Sequence, residues 1–251
     1  MSQQIKLLQK TGIIAIDGPS FQLENHHHHA LQVVINLDVA PSSHLFSVEN
    51  NLIDSPGLII APNITHKIKS SHCLVLLIEA ESHLAESLSN NYIQKANYYS
   101  IPLEFCRQII KLFLEENFGW STLDSVLNLL DSDICLDRHI QPRLQKLVNW
   151  FDEVEVTSDW ESVNLTAALD KIQLSQGRFL HLFSEQFGIT WRQYVLWRRL
   201  LAAIKYALAG YSLTASAQQA CFSDSAHFSR VFKSMFGISP SLVIKNIKLQ
   251  Q

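Results

Sequence analysis

The chain has 251 residues, of which 47% are hydrophobic and 17% are charged, and its formal net charge is −3. This length fits one large domain or two small ones, and the composition is that of a globular protein that can bury a core. No apolar run approaches the roughly 18 residues that a membrane-spanning helix needs, so we expect no such helix. The first residues lack the apolar stretch of a signal peptide, which predicts a cytoplasmic protein without a membrane partner.

The first part of the chain is predicted to be rich in β-strands. Short runs of β-branched and aliphatic residues alternate with Gly, Pro, Asn and Ser, which is the pattern of strands and turns. The runs cover residues 12–16, 31–37, 44–48, 57–62 and 73–79. Several short strands at close spacing are typical of a small sandwich or barrel.

The periodicity then changes to that of amphipathic helices. Apolar residues recur at helical intervals within 101–118, and a second helix is predicted at 121–130. The apolar residues of the first helix are Leu103, Ile109, Ile110, Phe113 and Leu114. Such stripes must be buried, either against the β-rich part or against a second subunit. Residues 86–137 are therefore predicted to form a helical linker or a dimerisation segment.

A repeat marks the last part of the chain, which is predicted to be helical from about residue 140. FLHLFSEQFGI (179–189) recurs as FSRVFKSMFGI (228–238), with Phe at i, i+4 and i+8 before Gly-Ile in both copies. This spacing lines one face of a helix that ends at Gly. Each copy follows a short helix and a tight turn, so the sequence predicts two helix-turn-helix units.

One long helix is predicted between the two copies. Thr190 with Gln193 is a predicted capping box at its start, and Ser158 with Glu161 is another one earlier in the chain. A helix of about 20 residues is about 30 Å long, close to the roughly 34 Å between successive major grooves on one face of B-DNA. Its polar side carries cations that either bind phosphates or form a solvated face, namely Arg192, Arg198, Arg199 and Lys205.

The charge distribution fits a polyanionic partner for this region. Residues 1–158 contain 10 Lys and Arg against 18 Asp and Glu, a net charge of −8. Residues 159–251 contain 10 against 5, a net charge of +5. A basic C-terminal third behind an acidic front indicates that the two parts have different partners.

Residues 140–245 resemble the DNA-binding domain of the AraC/XylS family of bacterial transcription regulators. The family's C-terminal pattern, GFxDxxHFSRxFKxxFGxSP, is present here as CFSDSAHFSRVFKSMFGISP. The resemblance implies an all-α domain, which we assign to residues 138–251, with two helix-turn-helix units joined by a long helix. It implies double-stranded DNA as a partner.

The resemblance also implies which side chains contact DNA. In the second unit they are Ser225, Ala226, Ser229 and Arg230, with Lys233 on the same face. In the first unit they are Gly177, Leu180 and His181, with Arg178 beside them. Leu180 can touch a thymine methyl group but cannot hydrogen-bond a base. We therefore expect Arg230 to contribute most of the direct readout.

Cys221 departs from the family pattern, which usually has Gly at this position in the turn of the second unit. A left-handed backbone at a non-Gly residue costs about 1–2 kcal/mol. If the turn requires that conformation, we expect it to be slightly altered here.

Four consecutive histidines, 26–29, precede the strand predicted at 31–37. Residues 12–85 resemble the cupin-like β-barrel in which AraC-type regulators commonly sense an effector. In metal-binding cupins, two His spaced by one residue, a following Glu and a later His hold a divalent metal. Here either His26 with His28 or His27 with His29 forms the alternating pair on one face of the strand. His66 is the candidate for the later ligand. No Glu follows within three to five residues, where the stretch is apolar, which counts against a metal.

Three interpretations of these histidines stay open. They line the mouth of an effector pocket, or they bind a divalent metal, or they are surface or structural residues without a ligand. A metal site needs neutral imidazoles held by further partners, and Asp38 and Glu24 are candidates for that role. Effector-binding and metal-binding candidates are the same three residues: His26, His28 and His66. We expect no cofactor, with a divalent metal as the alternative.

The sequence thus predicts an α+β protein with a cupin-like sensor barrel over residues 1–85, linker helices and an AraC-type DNA-binding domain. Its predicted function is that of a sequence-specific transcription regulator that responds to a small-molecule effector in the barrel. The alternatives are a constitutive regulator whose barrel only dimerises, and a metal-dependent cupin enzyme fused to a DNA-binding module. No G-x-S-x-G, P-loop or strand-linked GxGxxG motif is present, so an enzyme is not expected. RNA polymerase and a second copy of the chain are further candidate partners.

Overall fold

The chain forms two compact units, which we call the sheet unit (residues 1–138 and 233–251) and the helical unit (residues 139–232). The structure is a computed structural model. It describes residues 5–10, 12–38, 45–116, 118–131, 140–241, 243 and 247–249. No described helix is long and apolar enough to cross a membrane.

The described strands of the sheet unit form one sheet. They are β1 (Ile5–Lys10), β2 (Ile13–His26), β3 (Leu31–Asn36), β4 (Leu45–Val48), β5 (Asn51–Asp54), β6 (Gly57–Ile60), β7 (His66–Ile78), β8 (Tyr98–Ser100) and β9 (Ile247–Leu249). The order is β8-β6-β3-β7-β2-β1-β9, and β4 pairs with β5 and β7. All of these pairs are antiparallel except β1 with β9. The predicted β domain ahead of a helical domain is confirmed, and β2 and β7 are longer than their apolar runs indicated.

The pairing of β2 with β7 brings two distant parts of the chain together. Ile13 opposes Ile78 at one end of the ladder and His26 opposes His66 at the other, with an irregular register between Leu23 and His26. Strand β3 also pairs with β7, from Leu31 to Asn36. The histidine run and His66 therefore meet at one end of the central strands.

Helices after the sheet pack onto it. The first is α1 (His83–Leu88), followed by a π-helical turn (Ser89–Ile93), α2 (Leu103–Glu115) and α3 (Trp120–Leu130). Helices α2 and α3 bury Ile109 and Val126 in the same core as Val33 of β3 and Leu76 of β7. Of the two alternatives for these apolar stripes, packing on the β domain is therefore observed.

The apolar stripe of α2 is rotated from the predicted one. Its buried residues are Cys106 and Ile109, with Phe113 partly buried, whereas Leu103 and Leu114 are exposed. The prediction was wrong for Leu103 and Leu114 because they lie about a quarter of a turn away from the direction midway between Cys106 and Ile109, at the edge of the buried face.

The helical unit contains the helices that were predicted for the last part of the chain. Its helices are α4 (Pro142–Thr157), a 3-10 turn (Trp160–Ser162), α5 (Leu165–Ile172), α6 (Gln176–Phe187), α7 (Trp191–Leu208), α8 (Leu213–Gln219) and α9 (Ser225–Phe236), whose last residues from 233 on belong to the sheet unit. Helices α5 and α6 form one helix-turn-helix unit, and α8 and α9 form the other. The phenylalanine stripes are core: Phe179, Phe183 and Phe228 are fully buried.

One of the two predicted capping boxes is present. At α7, the Gln193 N–H donates to the Thr190 hydroxyl oxygen at 3.3 Å, and the Gln193 side chain reaches back to the Thr190 backbone N–H. At Ser158 the prediction was wrong, because this residue ends α4 with a left-handed φ of 62°. An N-cap needs an extended backbone instead. Asn164 caps α5, accepting from the Ala167 N–H at 3.0 Å.

Candidate DNA-binding surface and histidine cluster

Helix α6 presents the polar residues of the first helix-turn-helix unit. Gly177, Arg178 and His181 are exposed and Leu180 is half-buried. The His181 ring lies 3.8 Å from the Glu185 carboxylate, one turn further along the exposed face. Arg178 and His181 are thus the side chains with which this helix can contact an anion or a base edge.

Helix α9 begins at a side-chain cap that the sequence reading did not single out. The His227 N–H donates to the Asp224 carboxylate at 2.6 Å. This hydrogen bond is the main reason that the pKa of Asp224 is lowered, and a hydrogen bond with Ser223 adds to it. The Asp of the family pattern was the available signal, since Asp is a preferred N-cap residue.

The face of α9 that follows this cap carries the second set of predicted contacts. Ala226 and Arg230 are exposed, and Ser225 and Ser229 are half-buried. The Ser229 hydroxyl donates to the Ser225 carbonyl at 2.8 Å, so its oxygen can still accept a hydrogen bond. Lys233 is exposed and lies 3.8 Å from Glu24, within the sheet unit. Arg230 is the strongest donor on this face.

The cations of α7 do not form one phosphate-binding row. Arg192 and Lys205 are exposed, as expected. Arg198 is 1% exposed, so its assignment as a surface DNA contact is wrong. Its guanidinium donates to Asp152 at 3.0 Å and to Glu155 at 2.6 Å, both on α4.

Arg199 is also held by hydrogen bonds within the helical unit. Its guanidinium donates to the carbonyls of Trp160 at 3.0 Å, Val163 at 3.3 Å and Cys221 at 3.3 Å. These three acceptors lie in the turns before α5 and before α9. Arg199 therefore connects the turn regions of the helical unit rather than facing solvent with its donors.

Cys221 has the left-handed backbone that the resemblance led us to consider. Its φ is 55°, and its N–H donates to the Gln218 carbonyl at 3.0 Å. A side chain in this conformation is strained. The turn between α8 and α9 thus retains the geometry for which Gly is suited, with Cys in its place.

Three histidines of the sheet unit form a buried cluster, which we call the histidine cluster: His26, His28 and His66. They are 3%, 4% and 2% exposed, and their ring centroids are 4.2 to 5.8 Å apart. One ring nitrogen from each lies within 4.8 Å of the other two. These three residues are therefore not surface residues, and burial does not distinguish the remaining interpretations of a structural role, an effector pocket or a metal site.

The other two histidines of the run point elsewhere. His27 is exposed, and the buried His29 lies 3.2 Å from the buried carboxylate of Glu81. The alternating pair that faces His66 is thus His26 with His28. Side chains alternate between the two faces of an extended segment, which is why the run divides in this way.

Each ring of the histidine cluster is held by a backbone carbonyl. The Nδ1 atoms lie 2.7 Å from the Glu24 carbonyl for His26, 3.0 Å from the Ala30 carbonyl for His28 and 2.8 Å from the Ile64 carbonyl for His66. A carbonyl only accepts, so each Nδ1 carries the proton. Backbone carbonyls, rather than the Glu24 and Asp38 carboxylates considered from the sequence, orient the rings.

Burial keeps these rings neutral. Burial, with a smaller contribution from neighbouring histidines, lowers the pKa of His26 to about 4, that of His28 to about 3 and that of His66 to about 2. A neutral ring with its proton on Nδ1 offers a lone pair on Nε2. Three such lone pairs therefore belong to one buried site.

Gln32 of β3 is a member of this site that the sequence reading missed. It is 1% exposed, and its Oε1 lies 2.8 Å from Nε2 of His28 and 3.0 Å from Nε2 of His66. Its Nε2 has no hydrogen-bond partner among the described residues. Gln32 follows His28 by four residues, so the stretch taken as apolar does contain one polar side chain that faces the histidines.

The sheet unit also contains a cavity of about 360 Å³ beside α2. Its lining is half apolar and half polar. The apolar residues are Leu37, Ile110, Phe113, Leu114 and Phe118, and the polar ones are Lys6, His72 and the carboxylates of Asp17, Asp38 and Glu116. Volumes of about 300–1,000 Å³ with mostly apolar walls and a few polar groups are typical of small-molecule sites. None of the effector candidates chosen from the sequence lines this cavity.

Two helix-turn-helix units on either side of a long helix, together with a β domain, define the chain as a DNA-binding transcription regulator. Residues 169–246 match a family model described as a helix-turn-helix domain. The chain is 26% identical over 260 residues to the probable transcriptional regulator LumQ of Photobacterium leiognathi, a match that covers 90% of this chain and 96% of LumQ. Residues 169–246 thus contain the AraC-type helix-turn-helix domain that the C-terminal sequence block indicated, and the chain as a whole is similar to a transcriptional regulator.

Solved structures share this fold. Apo ToxT from Vibrio cholerae matches with a TM-score of 0.62 at 12% identity, over 96% of this chain and 99% of ToxT. ToxT with a bound unsaturated fatty acid matches with a TM-score of 0.54 at 13% identity, over 97% of this chain and all of the ToxT chain (100%). At these identities the likeness establishes the common fold.

Proposed function

We propose that this regulator reads an asymmetric DNA site with α6 and α9 in successive major grooves, and that a small molecule bound in the sheet unit controls it. The observation that carries the DNA part is the pair of helix-turn-helix units, each with an exposed polar face on its second helix. Helix α7 between them has 18 residues and is therefore about 27 Å long. This length suits neighbouring grooves on one face of B-DNA.

The two units are proposed to contribute differently to sequence recognition. Arg230 on α9 has the planar donor group that pairs with guanine in the major groove. The exposed residues of α6 include Arg178 and His181, while Gly177 and Leu180 offer no side-chain hydrogen bond. Arg230 should therefore contribute base specificity, and Arg192 should contribute affinity through phosphates.

Binding measurements with purified full-length chain and selected DNA fragments test this proposal. Arg230→Ala should weaken specific binding by about 1–3 kcal/mol and relax the preference at one base position. Arg107→Ala is the control, since Arg107 is an exposed arginine of α2 in the sheet unit. An unchanged base preference at every position in Arg230→Ala would overturn the assignment.

The effector is proposed to bind in the cavity beside α2. The cavity combines the apolar side chains of Ile110 and Phe113 with the basic groups of Lys6 and His72. Carboxylates of Asp17, Asp38 and Glu116 also line it, and Asp17 lies 2.7 Å from the His72 ring, so the lining suits a small amphipathic molecule and has no excess of positive charge. ToxT, which shares the fold, has been crystallised with an unsaturated fatty acid. An unsaturated fatty acid is therefore the first probe to use.

Thermal unfolding with and without the probe tests the effector part. A ligand that binds only the folded state raises the midpoint of unfolding as its concentration increases. Phe113→Ala, at the cavity wall, should reduce this shift, whereas Val156→Ala, at an exposed position of α4, should keep it. Equal shifts in both variants would place the ligand elsewhere. If a wider panel of amphipathic acids gives no shift, the chain is better explained as a constitutive regulator.

A further inference from the structure

We propose that the histidine cluster binds one divalent cation of the zinc class through the Nε2 atoms of His26, His28 and His66, with the carboxamide oxygen of Gln32 as fourth ligand. The site lies in the sheet unit, and it is separate from the cavity proposed for the effector. Imidazole nitrogen is a good ligand for Zn²⁺ and its neighbours in the first transition series, whereas Mg²⁺ and Ca²⁺ prefer oxygen.

The strand pairing places the four ligands without a major rearrangement. His26 opposes His66 across β2 and β7, and Gln32 opposes Ile60 of β6, whose following loop leads to His66. One nitrogen of each histidine already lies within 4.8 Å of the other two. Zn–N distances of about 2.0–2.1 Å place the nitrogens of a tetrahedral site about 3.3 Å apart. Side-chain movements that shift the ring nitrogens by about 1 Å therefore bring them to these positions.

The orientation of the rings is that of metal ligands. Each Nδ1–H donates to a backbone carbonyl two residues away along the chain. Metal-binding histidines almost always donate their second ring N–H to a carboxylate, a carbonyl or water, which fixes the tautomer and the ring direction. Three rings with the same kind of partner therefore direct three lone pairs toward one point.

Gln32 adds a fourth side chain whose carboxamide oxygen can join the three ring nitrogens on a cation. Its Oε1 faces Nε2 of both His28 and His66 at 2.8 and 3.0 Å. Oxygen and the two neutral nitrogens are all acceptors, so without a cation this contact is unfavourable. In the metal-free protein the reversed amide would donate both of its N–H groups to the two rings. Metal binding replaces these two hydrogen bonds with coordination by the oxygen.

The ligand set indicates a structural site. Four protein ligands complete a tetrahedron and leave no position for a substrate or a reactive water. Three imidazoles and one amide carry no charge, so the bound dication keeps its full charge. A carboxylate at position 32 would neutralise part of it. Gln32→Glu should therefore bind the metal more tightly than the natural chain.

The test uses purified full-length chain that has been treated with a chelator and then titrated with ZnCl₂. We expect one equivalent of zinc per chain, a raised midpoint of thermal unfolding, and a Co²⁺ derivative with the intense visible absorption of a tetrahedral site. Gln32→Glu should tighten zinc binding by about tenfold or more. His66→Gln should abolish it, whereas His27→Gln, which alters the exposed neighbour in the same run, should leave it unchanged.

Two results would overturn the proposal. One is the absence of stoichiometric zinc binding by the natural chain. The other is binding that His27→Gln abolishes and His66→Gln preserves, because the exposed run would then hold the metal. Circular dichroism shows whether His66→Gln is folded. If it is not, the affinity of Gln32→Glu decides, since a binding site elsewhere would not respond to that substitution.

Discussion

Arg198 should stabilise the helical unit and should not contact DNA. Its side chain is 2% exposed and donates to Asp152 and Glu155 of α4. Its guanidinium also lies over the ring of Phe151, at 5.2 Å from the centroid. Arg198→Met keeps an apolar side chain of similar length in the same space and removes the donor from both carboxylates.

The expected loss follows from the surroundings of these carboxylates. Removing one partner of a buried ion pair costs about 3–5 kcal/mol. The side chains of Asp152 and Glu155 are 54% and 29% exposed, so water solvates them after the substitution. We therefore expect a loss of about 2–3 kcal/mol in the free energy of unfolding. For a domain of this size, that loss lowers the midpoint of thermal unfolding by about 10–20 °C.

Thermal unfolding and DNA binding at several salt concentrations distinguish this role from a phosphate contact. Measured where both proteins are folded, the dependence of log K on log salt should be the same for Arg198→Met and the natural chain. Arg192→Ala is the matched control, because Arg192 is an exposed cation of the same helix. It should keep the unfolding midpoint and reduce the salt slope by about 1. The reasoning is refuted if Arg198→Met leaves the midpoint unchanged and reduces the salt slope.

Three further predictions concern backbone strain and buried histidines. Cys221→Gly should raise the free energy of unfolding in denaturant by about 1 kcal/mol, because its φ of 55° is strained for Cys; a decrease would show that the side chain matters more. Gly188→Ala should lower the free energy of unfolding by about 1–2 kcal/mol, because its backbone is left-handed. Gly237→Ala should lower it by more, because the added Cβ would also lie 2.6 Å from the Glu24 carbonyl oxygen. Equal losses in the two variants would contradict this crowding. In the presence of a chelator, stability should fall as the pH decreases from about 6.5 toward 4, by up to about 1.4 kcal/mol per pH unit for each cluster histidine, because only the unfolded chain takes up protons there. His28→Gln should reduce this slope, and a pH-independent free energy of unfolding between these limits would be incompatible with the lowered pKa values.

Local and periodic features of the sequence predicted the helical unit well. The Phe repeat located α6 and α9 because a spacing of four residues in a helix directs side chains to one face, whatever the rest of the fold is. The capping box at Thr190 was predicted for the same reason, since all of its atoms lie within one turn. Ser158 had the same pattern but ends a helix, because tertiary packing directs the chain differently there.

The role of Arg198 could not be predicted from periodicity. Arg192 and Arg198 both lie on the side of α7 that the sequence marks as polar. Which of them is buried depends on where α4 places Asp152 and Glu155, more than 40 residues earlier in the chain. Pattern analysis identifies the polar side of a helix, but an ion pair within a core depends on the geometry of two packed helices.

Gln32 was missed because β3 is buried on both faces. All six residues of Leu31–Asn36 are buried, so the strand shows no alternation that would mark Gln32 as facing a polar site. A different argument from the sequence would have found it. A glutamine inside such a run needs buried hydrogen-bond partners, since an unpaired buried amide costs free energy. Residues close to β3 must supply those partners, and the polar residues directly before β3 in the chain are the histidines. A polar residue within an apolar strand therefore predicts a polar cluster beside it, and here that cluster has the composition of a metal site.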